Sequence, residues 1–190
     1  MKRPDPIIIK NLLDKESYKS LKDLLEPIAK TFDYHMEFGR WRTRGGPNNI
    51  LDRYAHSLLP LAKTIFNNND IMFAYSAFVH YEGPDAKLTP HKDDNACTYT
   101  IDMCLYQTEP WDIYIQDKPY ILQENEAVAF YANDQKHWRN KFPNPNEQKV
   151  GMVFFHYVDP DHWCITKGRD YIDVLRGIIT EEEYYNDQKN

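Results

Sequence analysis

The strongest constraint on this chain's fold is its long C-terminal half of short β-type runs separated by turn residues. Candidate strands are Met72–Tyr81, Ala96–Tyr106, Trp111–Ile115, Lys118–Leu122, Ala127–Tyr131 and Lys149–Val158, rich in β-branched and aromatic residues. Glu82-Gly83-Pro84, Asn125 and Asn144-Pro145 punctuate them. Many short strands with turn signals predict an antiparallel sandwich or barrel. Ahead of them, Ile7–Ile9 reads as a short opening strand. Leu12, Leu13, Tyr18, Leu21, Leu24 and Leu25 form one helical stripe from Asp14 to about Pro27, and Leu51–Phe66 reads as a second helix. Phe38–Asn49, basic and Gly-rich, reads as a mobile loop, and Asp170–Ile179 as a closing helix. The fold class is α+β, mainly β, within a single domain spanning 1–190 whose core covers about 70–160.

The formal charge of −6 argues against a nucleic-acid backbone as main partner. Three cysteines without a CxxC indicate neither a disulfide framework nor a zinc site. The N-terminus lacks the apolar core of a signal peptide, and no stretch approaches the roughly 20 apolar residues of a membrane span, so the chain is expected to be cytoplasmic.

The chemistry-bearing segment is Leu88-Thr89-Pro90-His91-Lys92-Asp93. In extended backbone, residues two apart share a face, so His91 and Asp93 can approach one ion together. His137, after the strand Ala127–Tyr131, is the candidate for a third ligand. Two imidazoles and a carboxylate on one face leave open positions, the pattern of non-haem iron(II) oxygenases. An HxD alone means little, because a solvated turn gives the same letters.

With this order of segments the chain resembles the iron(II)/2-oxoglutarate-dependent oxygenases, in particular their prolyl-hydroxylase-like branch. The similarity runs from about Ile7 to Val158: Tyr81 stands ten residues before His91, and Lys149 twelve after His137. The resemblance implies a double-stranded β-helix (jelly roll) core flanked by N-terminal helices and a C-terminal helix. It implies iron(II) on His91, Asp93 and His137, with 2-oxoglutarate as co-substrate and room for ascorbate as an accessory. Lys149 would hold the far carboxylate of the co-substrate, with Arg139 as its competitor and Tyr81 adding a hydrogen bond. The implied reaction is hydroxylation of a peptidyl (prolyl-like) residue or of a small amino-acid-type molecule. The chain departs from the branch where Glu109-Pro110-Trp111-Asp112-Ile113 replaces a Gly-Gly-x-Leu segment, and in the loop Phe142–Gln148. Substrate therefore does not carry over.

Of the other histidines, His80 is expected on a sheet surface, His156 in core or pocket, and His162 in a capped turn. Arg40, Arg42 and Arg44 sit beside Trp41 in a loop that could close as a lid. Two other readings compete: a cupin-like metal protein that does not use 2-oxoglutarate, for which a cation at Lys149 has no purpose, and a non-enzymatic β-sandwich binding module.

Overall fold

The computed structural model describes residues 3–168, 174, 179–182 and 184. In chain order the elements are β1 (Ile7–Ile9), α1 (Lys15–Leu25), β2 (Asp33–His35), β3 (Arg40–Arg44), α2 (Ile50–Ile65), β4 (Met72–Glu82) and β5 (Leu88–His91). They are followed by β6 (Tyr99–Gln107), β7 (Ile113–Ile115), β8 (Lys118–Tyr120), β9 (Ala127–Phe130), β10 (His137–Arg139), β11 (Lys149–Val158) and α3 (Trp163–Thr166). The strands form a seven-stranded sheet, β1-β9-β6-β11-β4-β3-β2, facing a four-stranded sheet, β5-β10-β7-β8. Every pairing is antiparallel. The non-sequential order within both sheets is that of a double-stranded β-helix, as the sequence resemblance implies.

Alternation along the strands sorts side chains into two cores. On the outer face of the large sheet, Ile101, Met103 and Leu105 of β6 and Val153, Phe155 and Tyr157 of β11 meet Leu21, Leu25, Leu51, Ala55, Leu58 and Ala62 from the two helices. Asp14 starts α1 by accepting hydrogen bonds from the Glu16 and Ser17 amides. On the inner face, Val150 and Met152 of β11 and Val79 and Tyr81 of β4 meet Ile113, Ile115 and Trp111 from the small sheet. The site lies on this inner side.

Three expectations change. Phe38–Asn49 is not simply a loop: β3 pairs with β4 through Arg40↔Tyr81, Arg42↔Val79 and Arg44↔Ala77. Its Arg-x-Arg-x-Arg alternation is a strand pattern whose polar side lines a cavity. His137 follows β9 as expected, but the segment after β9, read without a strand of its own, holds β10, which carries both His137 and Arg139. His80 is buried within the large sheet instead of facing a free surface: its Nε2 donates to the Glu82 carboxylate at 2.9 Å, and its Nδ1 lies 2.8 Å from Tyr106 Oη. The expected helix Asp170–Ile179 lies almost wholly outside the described residues. Among the described residues no helix is long and apolar enough to cross a membrane.

Candidate metal centre and its cavity

The β5–β10 ladder puts His137 directly opposite His91. Directly paired residues hold their Cβ atoms about 5 Å apart, and here the ring centroids stand 4.3 Å apart. Asp93 follows β5 at a point fixed by its amide, which donates to Ala132 O at 3.0 Å. Its Oδ1 lies 3.1 Å from His91 Nε2 and 3.7 Å from His137 Nε2. One ligand atom from each of the three residues falls within 4.8 Å of the other two. Donor atoms bound to one ion at roughly 2.1 Å sit about 3 Å apart on neighbouring octahedral corners, so small movements close this set.

The tautomers fit a metal. His91 Nδ1 is 2.8 Å from Thr89 O and His137 Nδ1 is 3.0 Å from Gln135 O. A carbonyl only accepts, so both Nδ1 atoms must carry the proton, and both Nε2 atoms turn toward Asp93. Backbone carbonyls holding the far nitrogen are the usual support of metal-binding histidines. The charges agree. Burial would raise the Asp93 pKa, but the hydrogen bond from His91 and the neighbouring imidazoles bring it down to about 2. Burial pulls His91 down, yet the hydrogen bond and charge of Asp93 outweigh it and hold it above the usual imidazole value. His137 is lowered, chiefly by burial.

A cavity of about 390 Å³ opens over the triad. Its walls include Tyr81 and Val79 of β4, Asp102 of β6, Phe154 and His156 of β11, and Arg40, Arg42 and Arg44 of β3. His156, expected in core or pocket, lines it, its Nδ1 2.9 Å from Thr100 Oγ1. Thr100 Oγ1 already donates to Cys97 O, so His156 Nδ1 carries a proton and Nε2 is an acceptor. His156 also lies with Asp93 and Cys97 in a second group of close ligand atoms.

The other sequence-predicted residues divide. Tyr81 lines the cavity, 1% exposed. Arg139 points to the same inner side, two residues beyond His137, and is buried against Trp111 with its guanidinium 5.0 Å from that ring. It donates to Trp111 O and, at 3.7 Å, to Met152 Sδ. Lys149 does not reach the cavity. It shares a face with Gly151, Val153 and Phe155, and its ammonium pairs at 2.8 Å with Glu26, the residue that ends α1, above the Tyr106 ring. Strand parity is the reason: the next residue, Val150, faces inward. The parity was readable, since Lys149 is in phase with Val153 and Tyr157 and out of phase with His156. Asp102 was missed. It lines the cavity with Oδ1 buried and unpartnered, and burial drives its carboxyl well above the usual range. Its signal was a lone acid inside the apolar strand Tyr99–Leu105.

No protein-family model matches the chain, and no curated protein matches it. Solved structures do match in fold. A viral collagen prolyl hydroxylase from Paramecium bursaria Chlorella virus-1, solved with 2-oxoglutarate, is 10% identical with a TM-score of 0.57, over 80% of this chain and 95% of that one. A Pseudomonas putida prolyl-4-hydroxylase is 11% identical with a TM-score of 0.62, over 80% and 92%. HygX from Streptomyces hygroscopicus, solved with nickel, 2-oxoglutarate and hygromycin B, is 10% identical with a TM-score of 0.63, over 81% and 82%.

Proposed function

We propose that this protein is an iron(II)- and 2-oxoglutarate-dependent oxygenase whose ion is held by His91, Asp93 and His137. One observation carries the reading: Nε2 atoms from two directly paired strands converge on one carboxylate, each with Nδ1 tied to a backbone carbonyl. Two imidazoles and one carboxylate with a cavity on the open side suit iron(II) better than a closed structural ion. Iron(II), when bound, supplies dioxygen-dependent oxidation of the substrate, coupled to conversion of 2-oxoglutarate to succinate and carbon dioxide. The reaction class proposed is hydroxylation.

The protein's own contribution is position, charge and dryness. Thr89 O and Gln135 O fix both rings, so their lone pairs need no reorientation when the ion arrives. Phe130, edge-on to His137 at 5.0 Å, and Val79 exclude water from the inner side. The far carboxylate of 2-oxoglutarate is assigned to the inner end of the cavity, between Tyr81 and Asp102 and above Arg139. Tyr81 offers a hydroxyl there, Arg139 a permanent positive charge, and Asp102 a carboxyl kept neutral by burial and able to donate. This assignment replaces Lys149 with Arg139.

Addition of iron(II) and 2-oxoglutarate without oxygen should give a weak visible charge-transfer band. His91→Ala and Asp93→Ala should lose both the band and succinate formation, and turnover surviving in either purified variant refutes the ligand set. The position of Lys149 favours a second reading, because a metal protein that does not use 2-oxoglutarate needs no cation there. Iron binding without any band on adding 2-oxoglutarate would establish it.

A further inference from the structure

Arg40, Arg42 and Arg44 occupy alternate positions of β3, and all three line the cavity over the triad. Same-face positions repeat every two residues, about 6.7 Å, so the three side chains serve roughly 13 Å of one wall. Arg40 stands beside Tyr81, Arg42 beside Val79 and Arg44 beside Ala77. Among the described residues, none of the three forms an ion pair with a carboxylate. The contacts they do make leave their charge uncancelled. Arg40 donates to Tyr81 Oη at 3.3 Å and lies 4.3 Å from the Phe38 ring centroid, and Arg44 lies 5.4 Å from that of Tyr75. The Nε atoms of Arg40 and Arg42 are buried with no acceptor.

A guanidinium does not give up its proton near neutral pH, and a buried donor without an acceptor costs about 1–3 kcal/mol. Arg40 and Arg42 are part-buried and Arg44 is exposed, so a counter-charge arriving with a ligand would offset this cost at the first two and pair with the third. The three acids on the cavity do not supply it: Asp93 is committed to the ion, Asp102 lies across the cavity on β6, and Asp94 accepts from the Ala96 amide at 2.9 Å and forms no ion pair with any of the three arginines among the described residues. Nor does one co-substrate carboxylate account for the whole row: the three guanidinium groups are spread over roughly 13 Å, and Arg42 and Arg44 continue from the Tyr81 end toward Tyr75 and His156. An ordinary solvated face would leave the Nε atoms in water.

We propose that the primary substrate is a small molecule bearing phosphate or carboxylate groups, gripped by Arg42 and Arg44 beside the triad. The fork of each guanidinium matches such an oxyanion in two hydrogen bonds. Which molecule is oxidised rests on the oxygenase reading; the anion site itself does not.

Calorimetric titration of the metal-free protein with inorganic pyrophosphate, and separately with malonate, tests the site without iron. At least one should bind saturably, tighter than about 1 mM. Stronger pyrophosphate binding assigns a phosphorylated substrate, and stronger malonate binding a polycarboxylate. Arg42→Gln combined with Arg44→Gln should weaken the better probe at least tenfold at a melting temperature no lower than the wild type's. If that protein does not fold, Arg42→Lys with Arg44→Lys keeps the charge, loses the fork and should weaken it several-fold. Absence of saturable binding by both probes, or wild-type affinity in the folded variant, overturns the proposal. So does tighter binding of a single-stranded oligonucleotide than of either probe. The anaerobic iron(II) and 2-oxoglutarate band reads the oxygenase assignment independently, so the two can fail separately.

Discussion

His91 Nε2 stands 3.1 Å from Asp93 Oδ1, and that carboxylate favours the imidazolium form of His91 in the metal-free protein. An ion must displace that proton, because the same Nε2 cannot hold both. His91 sits above its ordinary value through Asp93, His137 sits below it through burial, and Asp93 stays ionised down to about pH 2. One proton therefore competes with the ion in the mildly acid range. Cobalt(II) affinity, read from its visible absorption, should fall about tenfold per pH unit below the His91 value and level off above it. A slope of two protons would mean that His137 also titrates. Lys149→Ala has the opposite meaning from the one its sequence position suggests. Its partner is Glu26, and both side chains are substantially exposed, 41% and 30%. The substitution should leave the 2-oxoglutarate requirement unchanged and cost less than about 1 kcal/mol in urea unfolding. A raised 2-oxoglutarate requirement would return the lysine to the site. Arg139→Lys should raise that requirement instead, in a succinate-formation titration, because a lysine ammonium lacks the planar fork of the guanidinium.

At the level of elements, β11 divides its residues between two tasks. One side, Val150, Met152, Phe154 and His156, builds the inner wall, and the other packs on the helices. Gly151 belongs to the helix side, where a Cβ would meet the Tyr106 ring at 2.4 Å. The absent side chain lets that ring lie flat on the strand and reach His80 Nδ1. Gly151→Ala should destabilise by about 1–3 kcal/mol through overpacking, measured by thermal unfolding. An unchanged melting point would show that Tyr106 swings aside freely. Strand β3 escapes a reading by apolar periodicity because its alternation is written in arginines: Arg40, Arg42 and Arg44 on one face, Trp41 and Thr43 on the other. Charged residues at every second place look like a solvated loop until the other wall of a cavity is known.

Across the whole molecule, the antiparallel sheets bury a titratable group that is not assigned to the ion. His156 lies on the inner wall, and burial lowers it to about 4. The unfolded chain takes up its proton below about 6.5, while the folded chain does not. Folding stability contributed by this residue is therefore present above pH 6.5 and lost as pH falls toward 4, at up to about 1.4 kcal/mol per pH unit. His156→Gln should lose less melting temperature than the wild type between pH 7 and pH 5. Parallel curves for the two proteins would place that proton elsewhere.

The sequence by itself determined the opening strand, both long helices, the strand-rich half and the His91-x-Asp93 pair, since each is a local matter of period, capping and turn chemistry. It also named His137, although only β5–β10 pairing makes two residues 46 positions apart into neighbours. Tertiary structure alone decided which side of the sheets each cation takes. Moving one residue along a strand exchanges its two faces, so Lys149 went to the helices while Arg139 went inside. Sheet pairing likewise turned a basic loop into a wall of guanidinium groups, because strand alternation acquires a direction only when a partner strand fixes which side is in.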